Sequence, residues 1–371
     1  MRIALTGGQG FIGRNLHVRL QELGHRDIVM ISHDAGPEAL RTLLADVEFV
    51  FHLAGVNRPQ DPSEFAQGNH SFTRTLCEAM AAQPRPPRVA YTSSTQAELD
   101  NPYGRSKLDA ENELLAYGKL AGSKVYVSRL TNVFGKWSRP NYNSVVATFC
   151  HNIARGEPIS VSRADAPLRL VYIDDVVQGF CALLDDATIA EGMLAIGPEY
   201  DTTVGALAEQ IQAFATSRES MVTERVGTGL PRALYATYMS FLPTPAFEYE
   251  VPRHADPRGV FVEMLKTPDC GQFGYFTALP GITRGEHYHH TKTEKFLVIK
   301  GTASFGYRHM VSGEAHEIIT RGGEGRIVET IPGWIHNVKN IGDDELVVMV
   351  WANEIFDRQR PDTVAQKVQQ A

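Results

Sequence analysis

The chain reads as an α/β plus all-β protein, a doubly wound parallel sheet followed by a small antiparallel β-barrel or jelly roll. Three observations predict this. The chain opens on a short apolar strand, Arg2 to Leu5, that runs into the glycine loop T-G-G-Q-G-F-I-G. After Pro243, Pro245 and Pro252 it changes to short strands punctuated by Gly and Pro at regular spacing, the pattern of a barrel or jelly roll. Inside that second part lies G-I-T-R-G-E-H-Y-H-H-T-K-T-E-K-F-L-V-I-K-G, with three histidines and Glu294 between two short apolar runs.

Composition narrows the class. At 371 residues the chain accommodates two domains, divided here as 1–245 and 246–371. A formal charge of −7 argues against nonspecific nucleic-acid binding as the main task. No apolar run approaches the ~20 residues of a membrane helix, and a first strand at Arg2 leaves no room for a signal peptide. The expectation is a cytoplasmic protein. Cys77, Cys150, Cys181 and Cys270 lack C-x-x-C spacing and read as buried free thiols.

In the first part, Gly7, Gly10 and Gly13 form G-x-x-G-x-x-G. A helix follows with Ile12, Leu16, Leu20 and Leu23 on one face, stopped by Gly24. Strand, glycine turn and helix together cradle a pyrophosphate, because glycine lets the backbone approach and the helix N-terminus offers free N–H groups. The second strand, Asp27 to Ser32, ends in Ser32-His33-Asp34. Asp34 lies a step late for the NAD ribose, whereas Arg14 stands where a 2′-phosphate would arrive, so the cofactor reads as NADPH. The run Glu48 to Leu53 continues as H-L-A-G-V-N so soon afterwards that one βα unit is missing or shortened.

The strand Arg88 to Tyr91 ends in T-S-S-T, and Y-G-R-S-K follows. Tyr103 and Lys107, four apart, share a helix face. An ammonium there lowers the phenol's pKa and can hold the nicotinamide ribose. The phenol then protonates a carbonyl oxygen while hydride arrives at carbon. Ser94 or Ser93 can hydrogen-bond the same oxygen. Y-x-x-x-K also arises by chance on exposed helices; the glycine loop and serine-tipped strand upstream argue against chance here.

These motifs, with R-L-T-N-V-F-G and L-R-L-V-Y-I-D-D-V, resemble the extended short-chain dehydrogenase/reductase family acting on nucleotide-sugars, over roughly residues 1–245. The resemblance implies a Rossmann-type fold and a catalytic triad of Ser94, Tyr103 and Lys107. It places the cofactor against Gly7, Gly10, Phe11, Ile12, Gly13, Arg14, His33, Leu53 and Ala54 as well as Tyr103 and Lys107. It also implies that Asn132 and Asn143 line the sugar site and that Arg169 lies near UDP. Against these last roles, Asn132 is equally a turn residue and Arg169 a surface charge.

In the second part the expected strands are Val260–Leu265, Phe273–Leu279, Lys295–Ile299, Ala303–Arg308, Ala315–Thr320, Gly325–Thr330 and Leu346–Trp351. An H-x-H pair in a strand presents both imidazoles on one face. His287 and His289, with Glu294 and then His336 from another strand, can close a site for a divalent transition metal. The spacing Gly281, His287-x-His289, Glu294, Gly301, then Pro332-Gly333-x-x-His336-x-x-x-Asn340, is similar to the two cupin motifs. That resemblance implies His287, His289, Glu294 and His336 as ligands. His290 faces the other way.

D-P-R-G-V-F-V-E and G-I-T-R-G-E-H-Y also resemble the metal-free cupin-fold epimerases of nucleotide-linked 4-keto-6-deoxysugars. By that match His287 is the base, Arg258 and Arg284 grip the diphosphate, and Lys295 lies near the developing oxyanion. One imidazole cannot readily do both tasks. The ligand role is favoured, because His289 and Glu294 complete a set that the epimerases lack.

The whole architecture, reductase then metal cupin, resembles bacterial capsule and O-antigen enzymes on the route to UDP-N-acetyl-L-fucosamine. It implies a UDP-linked 4-keto-6-deoxy-N-acetylhexosamine substrate, C3 epimerisation in the cupin, NADPH reduction at C4 in the first domain, Zn2+ and a homodimer. Two alternatives stay open: a reductase whose cupin only dimerises or binds sugar, and a nucleotide-sensing regulator.

Overall fold

Strand β1 (Ile3–Thr6) is buried at every position and carries the glycine loop at its C-terminal end. The computed structural model describes the chain except residues 60, 62, 186–187, 252, 257–258, 263–270, 355–358 and 370–371; at 63, 253–256, 259–262 and 272–274 it describes only the backbone. The chain continues through α1 (Phe11–Glu22), β2 (Ile28–Ile31), α2 (Pro37–Leu43) and β3 (Phe49–His52). A short α3 (Ser63–Phe65) passes through a π-helical turn into α4 (Phe72–Ala81). Then come β4 (Arg88–Ser94), α5 (Pro102–Ala121), β5 (Val125–Leu130), β6 (Asn132–Phe134) and α6 (Val145–Ile153). After β7 (Pro167–Tyr172) follow α7 (Ile173–Asp185), β8 (Gly192–Met193), β9 (Glu199–Thr203), α8 (Val204–Ser220) and α9 (Gly229–Ser240).

The main sheet is parallel, in the order β2-β1-β3-β4-β5-β8. In a standard doubly wound sheet a further strand lies outside the second. Here β3 pairs with β1 on the side away from β2, so among the described residues that unit is missing rather than shortened. Helix α5 shows how local signals set an element. Asn101 caps it by accepting from the Gly104 N–H at 2.8 Å, Pro102 occupies its first position, and Gly122 closes it in the left-handed region at φ 63°. On α1, Leu16 and Leu20 are buried as expected, but Leu23 ends the helix and is 44% exposed.

The remainder is antiparallel: β10 (Glu248–Glu250), β11 (Arg253–Asp256), β12 (Gly259–Val262), β13 (Gln272–Ala278), β14 (Thr283–Tyr288), β15 (Glu294–Lys300), β16 (Thr302–His309), β17 (Ala315–Arg321), β18 (Arg326–Glu329), β19 (Trp334–Asn340), β20 (Leu346–Ala352) and β21 (Val364–Ala365). Two five-stranded sheets, β10-β18-β15-β20-β13 and β17-β16-β19-β14-β21, form a cupin-like jelly roll. Their inner faces meet through Phe296 and Phe305, 5.6 Å between ring centroids. Six of the seven expected barrel strands are present within a residue or two. The seventh overlaps β12, and residues 263–265 lie outside the described residues. Strand β21 had no warning in the sequence.

The chain packs as two units, Met1–Ser144 with Leu168–Asp201, and Val145–Pro167 with Thr202–Ala371. Packing therefore interleaves the units, where the sequence suggests a single cut at 245. The reason is that α6, α8 and α9 pack on one another, and Arg218 of α8 pairs with the buried Glu329 of β18. Cys77, Cys150 and Cys181 are buried free thiols; Cys270 lies outside the described residues.

Candidate active sites

The glycine loop is shaped by close approach. Gly7 sits at φ 67°, and a Cβ there would lie 2.6 Å from the Ala54 nitrogen. A Cβ on Gly13 would lie 2.2 Å from the Gly7 oxygen, so the helix can begin this close to the strand only without one. Gly10 caps α1 with no side chain on the first N–H groups, leaving donors for an anionic ligand. Phe11 and Ile12 are half-buried and Leu53 and Ala54 close the loop's other side, while Arg14 and His33 are exposed.

Lys107 is only 5% exposed. Its Nζ donates to the Thr92 carbonyl at 2.8 Å and lies over the Tyr91 ring at 4.5 Å. Burial pushes its pKa down to about 7. Tyr103 lies one turn earlier, against Phe65. Burial raises its phenol, opposed by a hydrogen bond with Ser94. This corrects the expectation that Lys107 lowers it: the ammonium is turned to the strand carbonyl. Ser94 is the serine at the phenol, because Ser93 is buried and bonded to Glu111.

Of the expected sugar-side residues, Asn132 and Arg169 are bonded to each other. Asn132 is exposed and donates to the Arg169 carbonyl at 3.1 Å, and Arg169 pairs with Glu199 at 2.9 Å and Asp201 at 3.5 Å. Asn143 is exposed.

In the barrel, His287, His289, Glu294 and His336 do converge, with one ligand atom of each within 4.8 Å of the others. A bulge brings this about. Gly285 pairs with Asn337, but His287 pairs with His336, because Glu286 is inserted between them at φ 58°. Without that extra residue His287 would face the opposite side of the sheet. Burial, and then His289, push His287 down to about 4; burial pushes His336 well below its ordinary range. Both imidazoles are therefore neutral and able to ligate. Burial alone would raise Glu294, but His289, whose Nε2 lies 3.3 Å away, with Lys292 and His336 nearby, holds it well below the usual carboxylate range. His336 is 3% exposed, and neither ring nitrogen makes a hydrogen bond among the described residues. Three imidazoles, a carboxylate and a buried ring with no hydrogen bond among the described residues fit a divalent transition metal.

Lys295 does not join them. It follows Glu294 directly on β15, and alternation turns it to the other face. There it is 2% exposed, paired with Glu329 and donating to the Tyr249 hydroxyl at 2.7 Å. The expectation of an oxyanion contact is corrected by that geometry. Arg284 is exposed, donates to the Thr277 carbonyl at 3.1 Å and covers the Phe276 ring. Arg258 lies outside the described residues. The main-chain N–H of His290 donates to the Asp362 carboxylate at 2.8 Å, and its ring lies against Tyr288.

Residues 3–197 match the NAD dependent epimerase/dehydratase family model. The chain belongs to that family. Residues 254–364 match the Polysaccharide biosynthesis C-terminal domain model. The chain is 54% identical over 98% of its length, and 98% of the relative's, to a UDP-2-acetamido-2,6-beta-L-arabino-hexul-4-ose reductase of Pseudomonas aeruginosa. Among solved structures it is similar to the capsular polysaccharide assembling protein CapF of Staphylococcus aureus, with 38% identity and a TM-score of 0.68, covering 99% of this chain and 100% of that one. A Thermus thermophilus UDP-glucose 4-epimerase complexed with NAD shares the fold over 58% of this chain and 83% of its own, at 21% identity and a TM-score of 0.51. The CapF likeness thus spans both parts of the chain, and family membership indicates a nicotinamide cofactor.

Sequence reasoning missed the polar chain beneath the family's site. Thr6 accepts from the Ala54 N–H at 3.1 Å and bonds His52 Nδ1 at 2.7 Å. His52 Nε2 bonds Thr73 at 2.8 Å, and Thr73 donates to the Asn69 carbonyl. Burial, and then Lys107, push His52 down to about 3, so it is neutral. Asn69 donates to Ser106 at 2.9 Å, and Ser106 donates to the Tyr103 carbonyl at 2.8 Å. Hydrogen bonds thus run from the glycine loop to the Tyr103 helix. The signal in the sequence was the polar His52 closing an otherwise apolar strand.

Proposed function

We propose that this chain is a bifunctional nucleotide-sugar enzyme. The substrate is UDP-2-acetamido-2,6-dideoxy-L-arabino-4-hexulose; the barrel epimerises it at C3, and the first unit reduces it at C4 with NADPH to UDP-2-acetamido-2,6-dideoxy-L-talose. The observation that carries this reading is the pairing, in one chain, of a serine–tyrosine–lysine set with four converging metal-type donors. Full-length similarity to the Pseudomonas reductase supports the substrate class.

In the reduction, the nicotinamide supplies hydride when bound. Tyr103 gives its proton to the C4 oxygen; burial keeps the phenol protonated, as an acid must be. Ser94, bonded to that phenol, donates to the same oxygen, and Lys107 holds the ribose. In the barrel, His287, His289, Glu294 and His336 hold a divalent metal, taken here as zinc, which as a Lewis acid favours charge on the C4 oxygen when bound. With His287 a ligand, the base for C3 is unassigned. Asn132, Asn143, Arg169, Arg258 and Arg284 remain sugar- or diphosphate-side candidates. Exposed Arg14 suits the 2′-phosphate of NADPH. We take the protein to be a homodimer, whose mass light scattering would read.

The test is solvent-deuterium exchange. Without NADPH, the protein should exchange deuterium into C3 of the 4-keto sugar. Tyr103→Phe should abolish reduction and leave exchange intact. Full exchange in His336→Ala would refute a catalytic barrel. A second reading, a 4-reductase whose barrel only binds or dimerises, is favoured by the relative's name, which states a reductase alone; absence of exchange in the wild type would select it.

A further inference from the structure

The structure holds a strap that the reading above does not use. Past the last long strand of the barrel, the chain returns along the ligand strand. β21 pairs with β14 at His287↔Ala365 and Tyr288↔Val364. The Gln366 N–H donates to the Glu286 carbonyl at 2.8 Å, and the Val368 N–H to the Glu286 carboxylate at 2.7 Å. Glu286 is the bulge residue that turns His287 toward His336. On the other side, Val368 and Val364 pack against Tyr288 and Ile335. Arg308 donates to the Val368 and Lys367 carbonyls at 2.7 and 2.9 Å, fastening the strap to β16.

Asp362 is the centre of this strap. Its backbone carbonyl accepts from His289 Nδ1 at 2.5 Å. That bond puts the ring proton on Nδ1 and leaves Nε2, 3.3 Å from Glu294, for the cluster. Its carboxylate accepts from the N–H groups of His290 at 2.8 Å, Thr291 at 2.7 Å and Lys292 at 2.7 Å, and from the Thr291 hydroxyl at 2.9 Å. The turn between His289 and Glu294 is thus wound around one side chain, and the same residue's main chain orients the histidine.

We propose that Asp362 is a positioning residue for the metal site: its carboxylate holds the turn, and that hold places its carbonyl to fix the tautomer and ring direction of His289. The strap then sets both histidines of the H-x-H pair, His287 through the Glu286 bulge and His289 through Asp362. This inference rests on the metal reading of the four donors.

Zn2+ affinity of the full chain, read by competition with a chromophoric chelator, tests it, together with the rate at which excess chelator strips the metal. Asp362→Ala should weaken Zn2+ binding by about 10- to 100-fold, the range for lost partners of metal-bound histidines, and should speed stripping. Asp362→Asn, which keeps an acceptor oxygen but sets an amide against the N–H donors, should fall between and serves if the alanine variant does not fold. Wild-type affinity and stripping rate in a folded variant would overturn the proposal. So would a variant whose metal-free thermal midpoint falls while its Zn2+ affinity holds, since that marks a purely structural strap. A wild-type chain that binds no divalent metal would end the metal reading and this inference together.

Discussion

At the scale of the residue, protonation decides what the barrel cluster is. An imidazole holds a metal only when neutral, and burial keeps His287 and His336 neutral well below their ordinary 6.5. Between pH 6.5 and about 4 the unfolded chain takes up protons at these histidines that the folded chain refuses. Stability from this source is complete above pH 6.5 and declines as pH falls toward 4. Metal-free protein should therefore melt at progressively lower temperature across that window. His336→Ala should flatten the dependence, as differential scanning calorimetry would record; an unchanged slope would contradict the buried neutral state. The convergence of the four donors was legible, because His and Glu are among the few side chains that can ligate a divalent metal and the H-x-H spacing follows the strand period. Their second partners were not. Nothing in P-D-T-V marks Asp362 as a partner of His289, because that contact joins residues 73 apart in the chain.

At the scale of the element, α5 is the piece whose placement matters most, since Tyr103 and Lys107 both ride on its first turns. Its start is set by Asn101 and Pro102. Asn101→Ala should cost about 1 kcal/mol, the usual worth of such a cap, and lower the thermal midpoint by roughly 2–4 °C in a domain of this size. A variant that melts with the wild type would show that tertiary packing alone sets the helix start. The alternating strands were also readable, but alternation reads only relative facing. It correctly set His287 and His289 together; it could not reveal that an inserted Glu286 would bring His287 opposite His336. It also contained, unused, the correction for Lys295, which must face away from its neighbour Glu294.

At the scale of the whole molecule, the buried charges of the second unit tie its helices to its barrel. Glu329 is 1% exposed, with Lys295 on one side and Arg218 on the other, and the Tyr249 hydroxyl accepts from Lys295. Removing the carboxylate leaves two cations in low-dielectric surroundings without their anion. Glu329→Ala should destabilise this unit by about 3–5 kcal/mol, readable as a fall in the denaturation midpoint. A loss below about 1 kcal/mol would mean that water or Tyr249 compensates. This cluster explains why α8 belongs with the barrel although in sequence it follows directly on the first unit.

The sequence by itself determined the two architectures, the glycine loop, the tyrosine–lysine pair and the four donors. Each of these is written in short sequence motifs, with His336 supplied by a second motif, where backbone period and side-chain chemistry suffice. Tertiary structure decided the rest: which serine meets Tyr103, where the Lys107 ammonium points, which face Lys295 takes, how the chain divides into packed units, and what holds His289. Those outcomes depend on burial and on hydrogen bonds between residues far apart in sequence, and such pairings exist only after the chain has closed on itself.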